Sequence, residues 1–189
     1  MTLHQIIMFE HSRAQAVMIA DLVIQKPALF DELLDIVFAE EEPVSRRAAW
    51  PLRFIHERNE CLIDKYIPII ITKLPNIKSV AIQRNLLYII AYSNIPEFYY
   101  GRLLDFTSRV LLDTNSSVAS IIYSVDIFFN VSKSEPDLLN ELRHMIDFLI
   151  PNATPGVKSK CIKTLRKIDR LKFYHKGVQS TSRRYTKLK

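Results

Sequence analysis

The sequence predicts an all-α protein, an α-α superhelix of about four helix pairs, and three observations carry that prediction. Proline and polar clusters divide the 189 residues into stretches of helical length. Within them, apolar residues recur every three to four positions, the period of a helix face rather than of a strand. Glycine is scarce, at 3 residues, and no Asn-Gly or Asp-Gly hairpin dipeptide occurs.

The first segment, 12–26, ends at Pro27. Residues 28–39 follow, with Leu29, Leu33, Ile36 and Val37 turned inward and Asp31, Glu32 and Asp35 outward. Segments 43–58, 60–74 and 77–93 come next. Residues 96–113 place Leu103, Leu104, Thr107, Val110 and Leu111 on one side. Residues 117–132 are apolar nearly all round, 135–150 are amphipathic, and 155–171 closes the set. Asn94-Ile-Pro-Glu97 and Ser134-Glu-Pro-Asp137 each read as a helix start, with a capping side chain, an early proline and an acid. Pro51 and Pro68 lie inside helical segments and are expected to kink them or displace their starts.

The segments come in pairs, and the pairs repeat. SRAQAVMIADLV and SRRAAWPLRF open successive pairs, and EEEPVSRRAAWPLRFI, DTNSSVASIIYSVDIF and NATPGVKSKCIKTLRKI share a polar turn, a valine and a helix of small and apolar residues. No such pair can bury its apolar face alone; stacking on neighbours does it. These stretches resemble the HEAT-like and armadillo-like helical repeats, whose units carry an Asp-rich turn followed by Val-Arg and alanines. The resemblance spans residues 12 to about 170 and implies a solenoid. We expect a helical-repeat domain over 1–171 and a basic, partly disordered tail over 172–189.

Composition excludes several functions. The low glycine count disfavours phosphate-cradling loops and nucleophile elbows, and none of their motifs is present. No HExxH or HxxxH places two histidines on one helix face, so neither metal nor cofactor is expected. No apolar run approaches the length of a membrane span. Cys61 and Cys161 read as buried, reduced thiols, which suits a cytoplasmic protein. An all-helical lyase of the adenylosuccinate lyase kind needs a much longer chain and an SSxMPxKxN-like loop, so that label would be a misassignment. The net charge of +6 is unevenly placed: residues 158–189 hold 12 Lys/Arg against Asp169 alone, a segment of +11, leaving −5 on residues 1–157.

The candidate site residues lie on the first helices of successive pairs. Arg46, Trp50, Arg53 and Glu57 share one helical face. Arg84, Tyr88 and Tyr92 sit one turn apart on the next such helix, and Asp126 and Asn130 on the one after. Arginine, tryptophan and tyrosine are favoured at interaction hot spots. The bland reading pairs the arginines with Glu40–Glu42 or Glu57 and packs Trp50 on Phe54. The sharper reading makes these faces the lining of a groove for a protein or peptide partner, in a non-enzymatic scaffold. A further alternative is a nucleic-acid binder, since the stack resembles that of the HEAT-like DNA alkylation-repair glycosylases, which cradle a duplex. Its contacts would come from the basic tail, Lys172, Lys176, Arg183, Arg184 and Lys187, although the acidic body argues against it. An apolar solenoid end left uncapped would pair with a second copy as a homodimer.

Overall fold

The structure is a computed structural model describing residues 1–133 and 135–185, with side chains followed through residue 171. Among the described residues there are eleven α-helices, three short 3-10 turns and no strand. The all-α expectation holds. The chain divides into two compact units, Met1–Leu103 and Leu104–Lys189.

The first unit contains α1 (Leu3–Phe9), α2 (Arg13–Gln25), α3 (Leu29–Phe38), α4 (Val44–Arg58), α5 (Glu60–Asp64), α6 (Ile67–Lys73) and α7 (Val80–Tyr92). α8 (Tyr100–Leu112) runs across the division. In this unit α4 packs between α2 and α7 and against α3. Its core takes Phe30, Leu33, Val37, Leu52, Ile55 and Ile70, all fully buried, and the Phe30 ring lies 4.4 Å from that of Tyr66. The outward acids of α3, Asp31, Glu32 and Asp35, are exposed as its apolar period requires.

The second unit holds α9 (Val118–Val131), α10 (Pro136–Leu149) and α11 (Pro155–Tyr185), which pack on one another. Val125, Phe128, Leu139, Leu142, Ile146 and Ile168 form its core with the buried Cys161. The tail residues Lys172, Lys176, Arg183, Arg184 and Lys187 lie outside the described side chains. Cys161 is buried as expected, and burial pushes its thiol up. Cys61 departs from expectation: it is exposed, because α5 turns only Ile63 fully inward.

Two further details, α1 and Asn94, differ from the sequence reading, while Pro68 displaces a helix start as expected. α1 is a helix the periodicity does not reveal, since seven residues are too few to display a face. It is held by a capping box between Thr2 and Gln5 and by the buried Leu3 and Ile7. Pro68 breaks 60–74 into α5 and α6 and sits in the first turn of α6, where its missing N–H costs nothing. Pro51 is accommodated inside a continuous α4. Asn94 provides no cap: the chain passes through Pro96 into a 3-10 turn, Glu97–Tyr99, before α8 begins. The other expected cap, Ser134, lies outside the described residues. Side-chain caps are made by Thr2 for α1, Ser12 for α2, Asn59 for α5 and Ser117 for α9.

The acidic run at the α3–α4 corner has a structural task. Glu40 lies one residue beyond Ala39, the C-cap of α3, with φ of 54°, the left-handed region where glycine is usual. Its carboxylate accepts the backbone N–H groups of Lys78 at 2.7 Å and Ser79 at 3.0 Å. Ser79 precedes α7 and gives that helix no side-chain cap of its own. Glu40 therefore supplies the anion that the positive end of α7 favours, across 38 residues of sequence.

Candidate partner-binding surface

Positions 46, 50, 53 and 57 recur every three to four residues and leave α4 on one side. Ala48, Ala49, Leu52 and Ile55 leave it on the other and are fully buried. The partition follows from the helical period alone, and it turns Arg46, Trp50, Arg53 and Glu57 away from the core.

Two linked groups form there. In the first, Arg53 Nε donates to Glu57 Oε1 at 2.8 Å, and Tyr88 OH donates to the same oxygen at 2.9 Å. The Arg53 guanidinium also lies 4.5 Å from the centroid of the Tyr88 ring, a cation–π distance. Tyr88 continues to Tyr92 on α7, ring to ring at 4.9 Å. In the second, Trp50 lies 6.4 Å from Phe54 and meets His11 edge-on at 5.8 Å, while the Arg13 guanidinium lies 5.9 Å from the Phe54 ring. Phe54 is nearly buried, Trp50 is half-buried, and Tyr92 remains 53% exposed.

The electrostatics follow from these contacts. The bond from Arg53 holds the Glu57 carboxyl below its ordinary range, and the bond from Tyr88 adds to it against the opposing effect of burial. Burial, then the Glu57 carboxylate, pushes the Tyr88 hydroxyl up to about 12. Beneath them His56 is buried, and burial pushes its imidazole down against three nearby carboxylates. His56 Nε2 is 3.1 Å from Ser93 Oγ, and that hydroxyl donates to the Ile89 carbonyl at 2.9 Å. The single hydroxyl proton is thus committed, so the network assigns the imidazole proton to Nε2.

The remaining candidate residues sit as follows. Arg46 pairs with Glu42 at 3.2 Å. Arg47 does not meet the acidic run; its Nη1 donates to the Met8 carbonyl at 3.1 Å and ties α1 to α4. Arg84 is exposed one turn before Tyr88 and has no carboxylate partner among the described residues. Asp126 and Asn130 belong to the second unit, where Lys160 of α11 donates to Asp126.

Sequence reasoning passed over Arg13, His11 and His56. A signal for Arg13 existed, because Ser12-Arg13 in SRAQAVMIADLV stands where Ser45-Arg46 stands in SRRAAWPLRF. Nothing in the sequence marks His11, which reaches Trp50 from the turn before α2. Among the described residues no cluster of His, Cys, Asp and Glu could hold a metal ion, and no helix is long and apolar enough to cross a membrane.

Paired helices stacked through small buried residues, with an individual polar dressing on the outer side of each first helix, define a helical-repeat scaffold of the kind generally involved in protein interactions. Residues 5–168 match the family model of the HEAT repeat domain, and the chain belongs to that family, which is typically non-enzymatic. No curated protein and no solved structure matches the chain.

Proposed function

We propose that the protein is a non-enzymatic interaction module whose partner-binding surface is the outer side of α4 and α7. A protein or peptide segment docks there on Trp50, Tyr88 and Tyr92, with Arg53 held between them. The observation that supports this is the preassembly of Arg53, Glu57, Tyr88 and Tyr92. Each side chain is fixed by its neighbours, so a partner ordering itself against them adds little conformational cost on the protein's side. Rigid aromatic and arginine groups of this type dominate binding energy where they are buried by a partner.

Peptide-display selection on the immobilised full chain tests the reading. Selected sequences are expected to lose about tenfold or more in affinity for Trp50→Ala and for Tyr92→Ala, the loss typical of a hot spot. Selected peptides that bind both variants as tightly as the native chain would remove the surface from consideration.

A further inference from the structure

The charges around these rings do not cancel, and the imbalance has a direction. Glu57 is engaged by Arg53, and Glu42 by Arg46. Arg13 on α2 and Arg84 on α7 are exposed, and neither has a carboxylate partner among the described residues. They flank α4, which packs between their two helices. The first unit as a whole is near neutral, with 11 Lys/Arg and 12 Asp/Glu over residues 1–103. Arg13 and Arg84 thus place positive charge without a carboxylate partner beside the rings, while Glu60 and Asp64, which act on His56 from α5, and Asp31, Glu32 and Asp35 on the exposed side of α3 hold the nearby acids.

We infer that this surface takes an acidic, extended peptide segment, whose carboxylates meet Arg13 and Arg84 while an apolar side chain between them covers Trp50 and Tyr92. The inference rests on the reading of α4 and α7 as a partner surface and adds the partner's chemistry. Its geometry sets a length. Helices in contact lie about 8–10 Å apart, so two flanking a third are separated by roughly 20 Å. An extended chain covers that in about six residues. The carboxylates around Glu42 and Glu57 select a peptide over a nucleic acid. A single strand carries one phosphate per roughly 3.4 Å and would have to lay charge on those acids, whereas a peptide spaces its charges freely.

Trp50 is the only tryptophan in the chain, so its emission reports this surface directly. The probe is a peptide of about twelve residues carrying two glutamate pairs about six positions apart around a central phenylalanine. It is titrated beside its glutamine and lysine counterparts and a twelve-residue oligothymidylate. The glutamate peptide is expected to give a saturable change, weakened about tenfold in the glutamine peptide and similarly in Arg13→Glu and Arg84→Glu. Arg102→Glu, an equal charge change on α8, is expected to leave it unaltered, and far-UV circular dichroism checks the fold of each variant. If the glutamate and glutamine peptides bind alike but Tyr92→Ala weakens both, the acidic chemistry is wrong and the surface stands. Tighter binding by the lysine peptide or the oligonucleotide would overturn the inference in favour of that ligand. No titration of Trp50 by any probe at millimolar concentration would overturn both the inference and the surface.

Discussion

α4 and α9 are copies of the same repeat element, and they use their charges in opposite ways. The Arg53–Glu57 pair of α4 joins residues one turn apart on a single helix, with side chains 45% and 37% exposed. The Lys160–Asp126 pair joins α11 to α9 within the second unit, with side chains only 22% and 13% exposed. A pair within one helix in water contributes little to the fold, because its geometry is already supplied by the helix and its field is screened. A pair between helices, half out of water, fixes which helix sits where. The charge pair of α4 therefore stays on one exposed helix face, while Asp126 of α9 is engaged in holding α11 beside it.

The comparison breaks most visibly if the two acids are removed in turn. Asp126→Ala leaves the Lys160 ammonium partly buried without its partner and is expected to cost about 3 kcal/mol, the lower end for breaking a buried pair. Glu57→Ala is expected to cost under about 1 kcal/mol, the range of an exposed pair. Urea midpoints at neutral pH measure both, and equal losses would erase the distinction between the two helices.

The corners before the two helices differ as well, and this sharpens the contrast at a smaller scale. α9 is capped by its own Ser117, which accepts the Ser120 N–H at 3.1 Å. At the α3–α4 corner the useful acid is Glu40, and it serves α7 instead. Ser117→Ala is expected to cost about 1 kcal/mol, and Glu40→Ala about 1–2 kcal/mol, since two amides and a helix dipole lose a charged acceptor. Glu40→Gly is expected to lie between Glu40→Ala and the native chain, because glycine recovers the energy of the left-handed backbone while still losing the cap. Thermal midpoints of the three variants order them, and a glycine variant less stable than the alanine one would contradict the strain at this residue.

The smallest effect is a pH dependence beneath the α4–α7 surface. The folded state lowers the pKa of His56 below its ordinary 6.5, so the unfolded chain binds the proton more readily. Stability is therefore intact above that ordinary value and declines as pH falls through it toward the folded value. His56→Gln, which cannot take up the proton, is expected to flatten this acid limb in urea midpoints collected between about pH 7.5 and 5. An unchanged limb would place its origin elsewhere, for instance in the carboxylates.

Much of this was legible in the residues. Periodicity and proline located every helix of ten residues or more, because a three-turn helix repeats its face often enough to be seen, but the last runs on to Tyr185, past the 155–171 they outline, where the apolar period fades. The apolar sides of α3 and α10 were legible for the same reason: Leu33, Val37, Leu142 and Ile146 are buried. α1 was not, being shorter than two periods beyond its cap. Asn94 misled because a polar residue before a proline resembles a cap even where the chain first makes a 3-10 turn. In the candidate site, the Arg53–Glu57 pair and the packing of Trp50 on Phe54 could be read from spacing within α4. The contacts of Tyr88 with Glu57, of His11 with Trp50 and of Lys160 with Asp126 could not, since each depends on which helices lie side by side. Glu40 was the least legible of all, as its backbone angle and its reach to α7 leave no local trace.

That reach alters how the first unit opens. In a stack of repeats each element is ordinarily released with its own neighbours, and the first amides of a helix exchange with solvent whenever that end frays. The Lys78 and Ser79 amides are held from the α3–α4 corner instead. Their hydrogen exchange is therefore expected to follow the opening of a turn 38 positions earlier, so that two corners of the chain come loose as a single event.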